Sequence, residues 1–203
     1  MTVFSRYRPA DARPLLPVMV EHNPCLGIKK YKEKWRTRYI NHDEFNALLA
    51  HLSEPMQNLF TLVYLTGQRI NDVLNLRQSD ITEAGIRFTQ KKTGAKLLIE
   101  VTEDIAEVLG RIQPSKQGWL FHTKTDKAMH YKTAYNAYVE ARKLAGISNA
   151  TIHDLRTKSL TDANDEDKDA QKLGGHSSQS TTKRYLRGRK PTKATAPNLP
   201  QKP

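Results

Sequence analysis

The stretch Gly174-Gly175-His176-Ser177-Ser178-Gln179-Ser180-Thr181-Thr182-Lys183-Arg184-Tyr185-Leu186-Arg187-Gly188 constrains this chain more than any other. A glycine pair closes a helix well, because a residue without Cβ takes the left-handed C-cap at no steric cost. The serines after His176 are good N-caps. A new, short helix is therefore predicted to start there and to carry Tyr185 among Lys183, Arg184 and Arg187. A tyrosine among cations is a candidate nucleophile, since nearby positive charge favours a phenolate. Read alone, Tyr185 is more simply one of eight tyrosines, most of which must pack. It gains weight only if phosphate-binding arginines and proton carriers occur elsewhere.

The net charge of +12 lies at the ends. Residues 1–40 carry +6, residues 183–203 carry +7, and the body between them carries −1. Basic ends on a neutral body suit a polyanion, most often nucleic acid, although solvated tails would give the same balance. Lys29, Lys30, Lys32, Lys34, Arg36 and Arg38 alternate with Tyr31, Trp35 and Tyr39. Such a segment can follow a phosphate backbone; a flexible linker fits it equally well. Lys183, Arg184 and Arg187 are the corresponding DNA-binding candidates around Tyr185. No apolar run is long enough to cross a bilayer, and the N-terminus lacks the apolar core of a signal peptide. A single cysteine, Cys25, excludes an internal disulfide and a cysteine zinc site. A cytoplasmic, nucleoid-associated location without a membrane partner is the expectation.

Four prolines in the first 24 residues argue against one long N-terminal helix. Asn41 and Glu44 form a capping box ahead of Phe45, Leu48, Leu49 and Leu52 at helical spacing. A second helix, from about Pro55 to Leu65, is apolar nearly all round and so central to the core. Gly67 breaks it, and a third starts near Arg69, where a helix start favours an anion. Asp72 shares that face and is placed to hold the guanidinium; an ordinary Arg–Asp helix pair reads the same way. Residues 86–90 and 96–101 are two strands joined by a tight turn at Gly94. With a short strand near Asp80–Thr82 they make a small antiparallel sheet. The turn carries Lys91 and Lys92, and most turn lysines are merely solvated. A helix over 130–145 lines Tyr131, Tyr135 and Tyr138 along one side, expected to be core. Thr151 caps a further helix on which His153 and Arg156 share a face, a proton carrier beside a phosphate fork. Five acids between Asp162 and Asp169 lack calcium-loop spacing and read as a solvated turn and helix start.

Together, Arg69, Lys92, His153-x-x-Arg156, His176 and Tyr185 resemble the tyrosine recombinase (phage integrase) family over roughly Asn41–Arg189. Thr66-Gly67-Gln68-Arg69 with Asp72 matches the first arginine box, with Asp where the family more often has Glu. Lys92-Thr93-Gly94 sits at the position of the family's catalytic lysine. His153-Asp154-Leu155-Arg156 matches the second box, and Tyr185 follows His176 by nine residues, as the nucleophile does. Two departures stand out. The segment between Arg156 and His176 is short and acidic, so its loop is expected to differ. Only Met1 to about Arg38 precedes the catalytic unit, where the family usually has a whole core-binding domain.

The resemblance implies an α+β fold, mainly helical, with a small three-stranded antiparallel sheet. It implies a division into the end of a core-binding domain plus linker (1–38), a catalytic domain (39–189) and a C-terminal arm (190–203). The chain is then a catalytic fragment or a naturally short recombinase. The implied activity is site-specific cleavage and rejoining of double-stranded DNA through a 3′-phosphotyrosyl link at Tyr185, for integration or excision of a mobile element. Arg69 and Arg156 would clamp the phosphate, Lys92 protonate the 5′ leaving oxygen, His153 act as base and His176 hydrogen-bond the phosphate, with Asp72 behind them. No cofactor or metal is implied. The assembly would be a tetramer on paired sites, and a monomer or dimer when free. A type IB topoisomerase uses similar residues, and a basic DNA-binding protein without catalysis is the remaining alternative.

Overall fold

Asn41 opens the first helix, α1 (His42–Ala50), as its spacing predicts. Its side chain accepts the Glu44 N–H at 2.8 Å, and the Glu44 carboxylate accepts the Asn41 N–H at 3.0 Å. The second helix, α2 (Glu54–Thr66), buries Met56, Leu59, Phe60, Leu62 and Val63 and is the central strut of the core. Truncating Leu59, which has no exposed surface, would cost about 2–5 kcal/mol. Gly67 ends α2 in the left-handed region, φ 63°. Next come α3 (Ile70–Leu74), a 3-10 turn at Gln78–Asp80, and strands β1 (Ile81–Thr82), β2 (Gly85–Thr89) and β3 (Lys96–Ile99). The sheet is antiparallel in the order β1-β2-β3, with Phe88 opposite Leu97. Five helices complete the order: α4 (Glu103–Arg111), α5 (Tyr131–Leu144), α6 (Ile152–Asp165), α7 (Ala170–Gly174) and α8 (Gln179–Lys183).

This computed structural model describes residues 36–187. The expectations for Lys29, Lys30, Lys32 and Lys34, for the core-binding remnant and for the C-terminal arm lie outside the described residues. Within them the α+β class, mainly helical with one three-stranded antiparallel sheet, is as expected. The main core joins α1, α2, α4, α5 and the start of α6 to Ile86 and Phe88 of β2.

Three local readings change. The tyrosine stripe of α5 is buried only at Tyr138, which packs edge-on to Phe60 at 5.6 Å. Tyr131 and Tyr135 are about two-fifths exposed and lean on each other at 5.9 Å. Periodicity assigns residues to a face, but burial extends only as far as the neighbouring elements reach. Asp162 does not belong to a solvated turn. Helix α6 runs past it to Asp165, and its carboxylate is buried 2.8 Å from Lys158 Nζ. Finally, α8 ends at Lys183, so Tyr185 sits in the turn beyond the helix expected to carry it.

Candidate active site

Two left-handed glycines shape the site. Gly67 turns the chain out of α2 so that its carbonyl accepts a hydrogen bond from Arg156 Nη1. Gly175 caps α7 with φ 63°. A Cβ there would lie 2.7 Å from Leu97 Cδ1 and 2.9 Å from Gln90 Nε2, so only glycine lets the His176 loop close on the sheet. Arg69 is the N-cap of α3, and its Nη1 donates to Gln90 Oε1 at 2.8 Å. Asp72, expected to hold that guanidinium, stands 3.9 Å away, an ion pair too long for a hydrogen bond. Its Oδ1 instead accepts the Lys91 N–H at 3.1 Å, fixing the root of the β2–β3 turn.

Thr151 caps α6 in a capping box with Asp154, which presents His153 and Arg156 toward Tyr185. Arg156 is buried, and its Nη2 donates to the Gly174 carbonyl at 2.7 Å and meets His176 Nε2 at 3.0 Å. Its Nε has no partner. His176 Nδ1 lies 3.0 Å from Thr182 Oγ1. The Tyr185 ring stacks on His176 at 5.0 Å, tilts against His153 at 5.4 Å, and lies 5.5 Å from the Arg156 guanidinium carbon. Thr161 of α6 pins the Tyr185 segment: its hydroxyl donates to the Tyr185 carbonyl at 3.1 Å and accepts the Arg187 N–H at 3.3 Å. Arg156, His153, His176 and Tyr185 thus converge, and Gln90 ties Arg69 to the same place.

Burial, then the Arg156 and Arg69 charges, push His176 down to about 4. His153 is exposed at the helix start, yet partial burial of its ring and the Arg156 charge hold its pKa below the ordinary value. Both imidazoles are therefore neutral at pH 7, able to take a proton or to share one. Lys92 is exposed in the turn between β2 and β3, outside the buried cluster, and its charge is among those that lower the His153 pKa.

The expected DNA-binding residues divide. Lys183 and Arg184 are exposed. Arg36 pairs with Asp154 at 2.9 Å, and Arg38 pairs with Glu44. Arg187 donates to the carbonyls of Arg38 and Arg184. These three arginines tie the chain entering the domain to α1, α6 and the Tyr185 segment.

Sequence reading missed the glutamines beneath the site. Gln68 and Gln90 have no exposed surface. Gln90 Nε2 donates to Gln68 Oε1 at 2.7 Å and to the Gly174 carbonyl at 3.1 Å, while Gln90 Oε1 accepts from Arg69 and from Thr93 Oγ1 at 2.8 Å each. Gln68 Nε2 donates to the Leu173 carbonyl at 2.7 Å. One buried amide pair thus joins the Arg69 box, the lysine turn and the His176 loop. The available signal was a glutamine directly before Arg69 and another just ahead of Lys91 and Lys92. Among the described residues, no cluster of His, Cys, Asp or Glu has metal-ligand grouping, and no helix is long and apolar enough to cross a membrane.

Comparison with known proteins points one way. The model of the phage integrase family matches residues 38–191. The integrase of Escherichia phage HK022 is 30% identical over 184 residues, covering 82% of this chain and 51% of the relative. The integrase of Escherichia phage lambda is 30% identical over 180 residues, covering 80% and 51%. The chain spans about half the length of the curated relatives it matches. A lambda integrase dimer bound to a COC′ core site superposes with a TM-score of 0.70 at 25% identity, covering 81% of this chain and 52% of that one. XerA recombinase shares the fold, with a TM-score of 0.66 at 22% identity and coverage of 76% and 61%.

Proposed function

This chain belongs to the phage integrase (tyrosine recombinase) family, and on that premise we propose that it cleaves and rejoins double-stranded DNA as the catalytic part of a site-specific recombinase. The observation that carries this reading is the Tyr185 ring packed within one pocket against His176, His153 and Arg156. Residues 39–189 act as the catalytic domain, residues 1–38 as the end of a core-binding domain and linker, and residues 190–203 as an arm. The working assembly is a tetramer on paired sites, with monomers or dimers when free, on the DNA of a bacterial cytoplasm.

In this mechanism the Tyr185 oxygen attacks the scissile phosphorus in line. A bond from phosphorus to tyrosine replaces the bond to the 5′ oxygen, which leaves as a hydroxyl. His153 takes the tyrosine proton, and Lys92 supplies the proton that the leaving oxygen needs. Arg69 and Arg156 hold the non-bridging oxygens and stabilise charge in the transition state from fixed positions. His176, in contact with Arg156, completes the pocket. The covalent link conserves the bond energy, so a 5′-hydroxyl of a partner strand can reverse the step on a new duplex.

The test is cleavage of a nicked suicide substrate in the presence of EDTA. The wild-type chain should accumulate a covalent DNA adduct, while Tyr185→Phe binds the same DNA and forms none. Adduct formation by Tyr185→Phe, or restoration of a chelated enzyme by a divalent ion, would refute this reading.

A further inference from the structure

Thr182 stands between His176 and Tyr185 and touches both. It is buried on α8; its Oγ1 lies 3.0 Å from His176 Nδ1, and its carbonyl accepts the Tyr185 N–H at 2.8 Å. Across the imidazole, Arg156 Nη2 lies 3.0 Å from His176 Nε2. A guanidinium N–H can only donate, so the nitrogen facing it must offer a lone pair. A neutral imidazole then carries its single proton on the other nitrogen. That proton is on Nδ1, and Thr182 Oγ1 is its acceptor. The opposite tautomer would set two donors face to face in a site closed by the Tyr185 ring. The low pKa of His176, from burial and the two arginine charges, keeps the ring neutral at pH 7.

We infer that Thr182 is a positioning residue: it receives the Nδ1 proton of His176 and holds the ring so that Nε2 serves as an acceptor orienting Arg156. In the free protein His176 therefore presents a lone pair at Nε2 and uses it to aim the arginine. The same threonine fixes the turn that presents Tyr185, so the aim of Arg156 and the placement of the nucleophile share one residue. The consequence for catalysis rests on the recombinase reading. The tautomer does not.

The tautomer is read directly from nitrogen-15 spectra of the histidine-labelled full chain, with the His176 signals identified by their loss in His176→Phe. The wild-type protein should show a protonated Nδ1 and an unprotonated Nε2, with an Nδ1 proton slow to exchange with water. Thr182→Val, nearly the same shape, should lose the slow exchange. It should also cleave the suicide substrate roughly fivefold more slowly, the worth of one ordinary hydrogen bond, at unchanged DNA affinity. Thr182→Ser should restore both. A wild-type His176 protonated at Nε2 would overturn the assignment, as would a Thr182→Val protein with unchanged proton exchange and cleavage. If the wild-type spectra are as described but no form of the chain cleaves DNA, the recombinase reading fails and the role of Thr182 at His176 stands.

Discussion

Helix α6 buries two cations two positions apart, Arg156 and Lys158, and surrounds them differently. Lys158 Nζ lies 2.8 Å from Asp162 Oδ2, 3.1 Å from the Tyr39 hydroxyl and 3.2 Å from His42 Nδ1, between the rings of Tyr39 and Tyr64. Burial opposes ionisation of Asp162, but hydrogen bonds from Lys158 and Tyr39 prevail and hold its pKa below the usual value. This charge is neutralised where it sits. Arg156 donates to two backbone carbonyls and to His176, and its charged neighbours include Arg69, another cation. Among the described residues, no carboxylate forms an ion pair with it. A buried cation with its own acid acts as a strut joining α6 to Tyr39 and α1. A buried cation held only by neutral acceptors remains available to an anion, the role the proposed function gives it toward a phosphate.

The largest test of this contrast is on stability. Lys158→Met strands the Asp162 carboxylate and should cost about 3–5 kcal/mol in chemical denaturation, while Lys158→Met with Asp162→Leu should recover most of the loss. Arg156→Ala should destabilise less than Lys158→Met, yet slow single-turnover cleavage by about 10²–10³-fold, the loss of one preorganised charge contact. Equal destabilisation by the two single variants would erase the distinction. Gln90→Met keeps the side-chain length and removes the amide joining Arg69, Thr93 and Gly174. It should cost about 1–3 kcal/mol in stability, since buried partners lose their hydrogen bonds, and cleavage should fall with it.

The last effect separates the two clusters by pH. Folded His176 resists protonation down to about 4, whereas an unfolded histidine takes its proton near about 6.5. Stability should therefore fall as pH drops through that window, because the unfolded chain binds more protons there. The contribution of Asp162, whose folded pKa is depressed, is present above the unfolded carboxylate value of about 3.9 and is lost as pH falls below it. Denaturation midpoints against pH should flatten in the upper window for His176→Gln and only in the lower one for Asp162→Asn. A single shared limb would mean that the two clusters titrate as one.

The contrast also marks what the sequence could express. Helix ends are local chemistry: Asn41 with Glu44, Thr151 with Asp154, and the left-handed Gly67 and Gly175 were readable because capping depends on residues a few positions apart. The order of the boxes was readable for the same reason. The roles of Gln68, Gln90 and Thr182 depend on partners across the fold, and nothing in their immediate sequence names those partners. Lys158 and Asp162 were hidden among polar neighbours, where a charge count favours solvent. Arg36 and Arg38 count as free charge in a sum and become internal ties only when Asp154 and Glu44 are brought to them.

The most direct measurement is the identity of the residue that carries DNA. Trapping the wild-type chain on a nicked suicide substrate, digesting with nuclease and trypsin, and sequencing the nucleotide-bearing peptide by mass spectrometry would locate it. Cleavage after Arg184 and Arg187 places the candidate in the tripeptide Tyr185-Leu186-Arg187. The phosphodiester remnant is expected on Tyr185, beside Arg156 and His176. A remnant on any other tyrosine, or strand cleavage that leaves none, would contradict it.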